Sequence, residues 1–196
     1  MINVLAQFLN DLIGRLPDFV WPVPALHHTN SPFGMRGGDL HTGFDTNHGC
    51  QMGNNCGVIC QIEIVAVADG VVTRVQERSD GFGNNVLIRH SNGMSTLYGH
   101  NHVNLVVRDA SVSRGQRIAI LGNTGSSTGP HLHFDLRRAN GTPVNPLAMY
   151  NPGDSRRGTR NHNALFVCSC GVWSCEGFNP MQSGHRFVFN SNFTAS

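Results

Sequence analysis

Gly129-Pro130-His131-Leu132-His133-Phe134 sets two imidazoles two positions apart, bracketed by large apolar side chains. Side chains of a β-strand alternate between its faces. A strand here sends both rings one way and Leu132, Phe134 and Leu136 the other way, into a core. Two histidines on one rigid face suit a metal ligand beside a proton-transfer group. With 11 histidines in 196 residues, such a pair is weak evidence alone, and the rest of a site must come from elsewhere in the chain.

The flanking sequence reads the same way. Ile62 to Ala68 is β-prone, Asp69-Gly70 supplies a hairpin turn, and Val71 to Val75 starts a second strand. Val86, Ile88 and His90 alternate with Leu87 and Arg89 before the Asn92-Gly93 turn, which leads into Ser95 through His100. Val103 to Val107 and Arg117 to Leu121 add further strands. No long helical pattern interrupts this run, so the expected fold class is all-β with an antiparallel sheet core. Ahead of it, Ile2, Leu5, Phe8, Leu9, Leu12, Ile13 and Leu16 recur at helical spacing and predict a short N-terminal amphipathic helix. Pro17, Pro22 and Pro24 then break into extended chain, where Phe19, Val20, Trp21 and Val23 cover a core edge. Residues 151–163 read as a polar linker. The segment 164–196 is too short to stand alone and reads as a cysteine-containing appendage. The expected organisation is a helical segment at 1–19, one domain at 20–150, and a linker with C-terminal extension at 151–196.

Composition narrows the function classes. A hydrophobic content of 39% supports a real core. The 14 Lys and Arg against 12 Asp and Glu give a formal charge of +2, too mild to argue for nucleic acid. No apolar run is long enough for a transmembrane helix. Asp11 and Arg15 interrupt what would be a signal peptide's apolar segment, and no basic n-region precedes it. Cys50, Cys56 and Cys60, with Cys168, Cys170 and Cys175, permit three disulfides in an oxidising setting; a structural zinc site is the rival.

The missing metal ligands lie upstream. His41 and Asp45 form a His-x3-Asp pair, adding one nitrogen and one carboxylate oxygen to one imidazole of the later pair. Three such ligands leave a fourth position open, as a catalytic zinc site requires. Gly122 to Pro130 lacks the Gly-Lys-Ser/Thr ending of a phosphate loop, so nucleotide binding is excluded and its glycines serve a tight turn at a cleft rim.

The chain resembles the lysostaphin-type family of peptidoglycan zinc endopeptidases over roughly residues 20–150. The resemblance is carried by Ser31-Pro32-Phe33-Gly34-Met35-Arg36, His41-Thr42-Gly43-Phe44-Asp45, Val67-Ala68-Asp69-Gly70-Val71-Val72 and Leu97-Tyr98-Gly99-His100. It continues through Val112-Ser113-Arg114-Gly115-Gln116 and Gly122 to Phe134, and ends at Pro143-Val144-Asn145-Pro146. It implies that fold, with His41, Asp45 and His133 as zinc ligands and His100 and His131 as active-site histidines that do not bind metal. On it His131 is the expected general base, and His100 orients the water or donates to the oxyanion.

The implied activity is hydrolysis of peptide bonds in peptidoglycan stems or cross-bridges, with a D-Ala–diaminopimelate bond ahead of a polyglycine bridge. Expected partners are peptidoglycan peptides and, for a phage lysin, virion proteins. The site of action would be extracellular, periplasmic or on a virion. The alternative is a noncatalytic wall-binding or structural member of the same fold. One departure stands out: Thr46 to Cys60 is longer, more polar and richer in cysteine than the family's usual link, which bears on cleft shape and brings Cys50 into question as a ligand.

Overall fold

In the computed structural model, the described residues are 19–26, 29–47 and 62–150, with the backbone of 166–168 and 171–173. Their strands are β1 (Gly34–Arg36), β2 (Asp39–His41), β3 (Gly43–Thr46), β4 (Glu63–Val65), β5 (Gly70–Gln76), β6 (Asn84–Arg89) and β7 (Ser95–Asn101). Then follow β8 (Val103–Asn104), β9 (Ser111–Val112), β10 (Arg117–Ile120), β11 (Leu132–Arg137), β12 (Pro143–Val144), β13 (Phe166–Cys168) and β14 (Gly171–Trp173). The main sheet has seven strands, in the order β12-β11-β7-β6-β5-β9 with β3 also paired to β11. A second sheet orders β4-β10-β8, β1 and β2 form a hairpin, and β13 pairs with β14. Every pairing is antiparallel.

The alternation read from the sequence decides the packing. Phe134, Tyr98 and Val86 lie opposite one another on β11, β7 and β6 and are all fully buried. Ile64, Ile118 and Ala119 of the second sheet enter the same core. Each large side chain so enclosed contributes about 1.5–3 kcal/mol relative to exposure. Trp21 stacks on Phe44 at 5.0 Å and meets Tyr150 edge-on at 5.2 Å, so the segment ahead of β1 seals one end of the core as expected.

Two expectations need correction. The short N-terminal helix is not borne out: among the described residues there is no α-helix, and the sole helical element is the 3-10 turn Pro146–Met149. Phe19 and Val20 are not helical, with Val20 N–H donating to the Val67 carbonyl at 2.9 Å and Val65 N–H to that of Pro22 at 2.9 Å. Prolines at 22 and 24 bias the residues before them to extended backbone, and pairing with the chain at 65–67 then satisfies it. The remainder of that segment, 1–18, lies outside the described residues. So do Cys50, Cys56, Cys60, Cys170 and Cys175, while Cys168 is described in backbone only; no disulfide occurs among the described residues.

The second correction concerns Asp69-Gly70. It does not close a hairpin, because β4 pairs with β10 and β5 with β6 and β9. It is a corner where the chain passes between sheets. Any side chain at Gly70 would strike the Arg89 carbonyl at 2.6 Å, so the glycine serves close approach rather than a turn. The Asn92-Gly93 turn does close the β6–β7 hairpin, with His90 N–H donating to the Met94 carbonyl at 2.9 Å.

Candidate metal centre

Three strands bring the cluster together. His41 ends β2, Asp45 lies in β3, and Asp45 sits directly across from His133 on β11. Gly43 makes that pairing possible, since a Cβ there would lie 2.1 Å from the Phe134 carbonyl oxygen and 2.7 Å from Asp135 Oδ1. His41 Nε2 is 3.1 Å from both Asp45 Oδ1 and His133 Nδ1, and His133 Nδ1 is 3.0 Å from Asp45 Oδ1. Those three atoms form a near-equilateral triangle.

The donor set fits zinc. Ligands at about 2.0–2.1 Å in a tetrahedron stand roughly 3.3 Å apart, close to the edges of this triangle. Two imidazole nitrogens and a carboxylate oxygen are the atom types such a site uses. His41 Nδ1 lies 3.0 Å from the Pro32 carbonyl and 2.5 Å from Arg36 Nη2, which turns Nε2 to the cluster. His133 Nε2 donates to Asp135 Oδ1 at 2.8 Å, leaving Nδ1 to face the cluster.

Electrostatics bind these groups to one another. Burial disfavours the His133 imidazolium, but hydrogen bonds and charges from Asp135 and Asp45 outweigh it and push the pKa up to about 9. Burial likewise raises the Asp45 carboxyl, yet the hydrogen bond from His133 and the charges of His133, His131 and His41 hold it below its ordinary value. Asp135 is fully buried and held by Arg137, whose Nε donates to Oδ2 at 3.0 Å. Arg36 borders the cluster, 3.8 Å from Asp45 Oδ2, and donates to the Pro32 carbonyl at 2.9 Å.

The other two histidines stand at the open side. Their rings are 4.6 Å apart, and His131 Nε2 lies 3.8 Å from Asp45 Oδ1. His131 Nδ1 is 2.7 Å from the Gly129 carbonyl and 3.1 Å from Ser127 Oγ; His100 Nδ1 is 2.8 Å from the Thr124 carbonyl. Carbonyls only accept, so both rings carry their proton on Nδ1 and turn an Nε2 lone pair to the cleft. Burial, with the nearby His131 charge, pushes His100 down to about 4 and keeps it neutral.

The five residues singled out from sequence therefore converge. Asp135, Ser127 and the Thr124 carbonyl were not singled out. Asp135 had a signal, because it lies two residues beyond His133 and shares its strand face. Tyr98 is wholly in the core, its hydroxyl accepting from Val67 N–H at 2.9 Å. Asn84 and Asn85 hold loops: Asn84 Nδ2 donates to the His102 carbonyl at 3.1 Å and Asn85 Nδ2 to that of Gly83 at 2.7 Å. Gly125, at φ 75°, packs its backbone on Gly83 and supplies a tight turn in the 122–130 loop. Cys50 lies outside the described residues.

Comparison with known proteins gives this geometry a context. The profile of peptidase family M23 matches residues 46–146, just beyond Asp45 and including the three later histidines. DD-carboxypeptidase/endopeptidase Mpg of Neisseria meningitidis is 40% identical over 129 residues, 63% of this chain and 27% of its own length. The murein hydrolase activator NlpD of Escherichia coli is 40% identical over 84 residues, 43% of this chain and 22% of that protein. A zinc-containing peptidase from Vibrio cholerae superposes with a TM-score of 0.56 at 30% identity, covering 69% of this chain and 40% of that one. The chain thus spans about a quarter of the length of the curated relatives it matches.

Proposed function

The chain belongs to peptidase family M23, and on that footing we propose that it is a zinc-dependent endopeptidase acting on bacterial peptidoglycan. The observation that carries this reading is the 3.0–3.1 Å triangle of His41 Nε2, Asp45 Oδ1 and His133 Nδ1 beside the imidazoles of His100 and His131. His41, Asp45 and His133 would hold the zinc. Bound there, the metal supplies Lewis-acid polarisation of a scissile carbonyl and acidifies water at neutral pH.

The remaining steps fall to the chain's own groups. His131 Nε2 accepts the proton of the attacking water, with its Nδ1–H held by the Gly129 carbonyl, and returns it to the leaving amine. His100, neutral and protonated on Nδ1, offers only a lone pair, so its part is to accept from and orient the water rather than donate to an oxyanion. Asp135 fixes the ring of His133. The finer assignment is cleavage of a D-Ala–diaminopimelate cross-link by a unit spanning 20–150, with 1–19 and 151–196 as extensions.

Incubating zinc-loaded protein with purified sacculi of diaminopimelate and polyglycine-bridged types, then identifying new termini by mass spectrometry, tests the reading. New amine termini from the first type are expected. Similarity to a murein hydrolase activator favours a second reading, a noncatalytic wall-binding role; binding to sacculi without new termini, despite bound zinc, would establish it instead.

A further inference from the structure

The main sheet lays one face on the core and leaves the other beside the metal-binding cluster. Pairing registers align Asp135, Leu97, Leu87 and Arg74 in a row across β11, β7, β6 and β5, on that second face and one row from His133. The charges of Arg137 and Arg78 act on Arg74 there, and each of those two has a counterion: Arg137 is bound to Asp135, and Arg78 Nε is 2.7 Å from Asp80 Oδ1. Arg74 has none. Its Nε is buried without a hydrogen-bond partner, and it makes no ion pair among the described residues. Burial, then the charges of Arg137 and Arg78, pull its pKa below the ordinary arginine value, although a guanidinium stays protonated. A partly buried cation with unused donors, facing other cations, is a costly arrangement for the free protein. Covering Leu87 and Leu97 with an aliphatic stem would not require the charge.

We propose that Arg74 is an anion-binding subsite of the cleft and takes a carboxylate of the peptide substrate. The proposal rests on the peptidase reading of the neighbouring cluster. Three strand spacings separate β5 from β11, about 14 Å, and an extended peptide advances about 3.3 Å per residue. The carboxylate accordingly belongs to a residue a few positions from the scissile bond, as a side-chain or terminal acid. Arg137 and Arg78 make the surrounding potential positive and favour the same charge. Substrates amidated at that carboxylate are disfavoured.

The test is equilibrium binding by calorimetry, with zinc-loaded protein, of a stem-type pentapeptide bearing free carboxylates and of the same peptide amidated at them. Wild type is expected to bind the acid roughly tenfold more tightly. R74M, which keeps the stem and the zinc, should lose that preference, and R74K should keep part of it. R74Q serves if R74M melts early. Because zinc itself attracts carboxylates, the preference that disappears in R74M is the informative quantity. An equal preference in wild type and R74M, or no preference or binding in wild type, overturns the proposal. Cleavage of sacculi, measured alongside, separates the two readings. An Arg74-dependent preference without cleavage keeps the subsite and sinks the hydrolase, while cleavage without the preference does the reverse.

Discussion

Asp135 has no exposed surface, yet its carboxylate sets how His133 meets a metal. By accepting from Nε2 at 2.8 Å it fixes the tautomer that leaves Nδ1 free, and its own charge is balanced by Arg137. Such outer carboxylates commonly change metal affinity 10–100-fold. D135N should therefore weaken zinc binding by roughly that factor, with D135E recovering part of it, as read by competition with a chromogenic chelator. The two histidines of the opening motif should part company in the same assay. H133A should lose zinc and hydrolysis together. H131A should retain zinc while losing about 10²–10⁴-fold in rate; equal zinc loss in both variants would refute the division of roles. Residue types and spacing put both rings on one face, and the family resemblance implied which of them binds metal. The partners on Nδ1 of His100 and His131 were not legible in the sequence, since they are backbone carbonyls of a loop, which any sequence would supply.

At the scale of elements, β7 departs from regular alternation where it matters. Val86 lies opposite Tyr98 but Asn84 opposite Asn101, so β7 carries one extra residue at Gly99-His100. His100 has φ 63°, a conformation uncommon outside glycine. Strict alternation from Tyr98 would have sent His100 into the core; the bulge re-aims it into the cleft. The sheet at β3 is equally constrained. G43A should cost about 3 kcal/mol and weaken zinc binding with it, because the added Cβ pushes β3, and hence Asp45, off β11. Urea melts of the zinc-free and zinc-loaded variant would show both effects.

The β6–β7 hairpin adds a pH dependence. His90 is buried between the Asp69 carbonyl, 2.8 Å from Nδ1, and Thr96 Oγ1, 2.9 Å from Nε2. Burial is the main cause that lowers its pKa below 6.5. The unfolded chain therefore takes up the proton first. Stability is full above about pH 6.5 and falls as pH drops from there towards the folded value. H90Q should flatten this part of the stability–pH curve; an unchanged slope would assign it to other groups.

For the whole molecule, zinc couples the site to the fold. β2, β3 and β11 each supply one ligand, so an ion bound to the folded state alone adds about 2.7 kcal/mol at a hundredfold excess over Kd. A rise of roughly 10 °C in Tm is expected on zinc addition, reversed by chelator and absent in H133A. W21A should lower stability by about 3–5 kcal/mol, since the ring closes the core against Phe44 and Tyr150; thermal melts would measure this.

By itself the sequence determined the antiparallel β class, the alternation of β6, the core-facing residues of β11 and, through the family resemblance, the five clustered side chains. Period-two alternation and the narrow chemistry of metal donors are local properties, and local properties survive in a string of letters. Tertiary structure decided what depends on pairing between distant segments. It made Asp69-Gly70 a corner instead of a hairpin, tied Val20 to Val67, turned His100 through a bulge, and left Arg74 without a counterion among the described residues. Each of these follows from which backbone lies alongside which, and from how much charge is buried there.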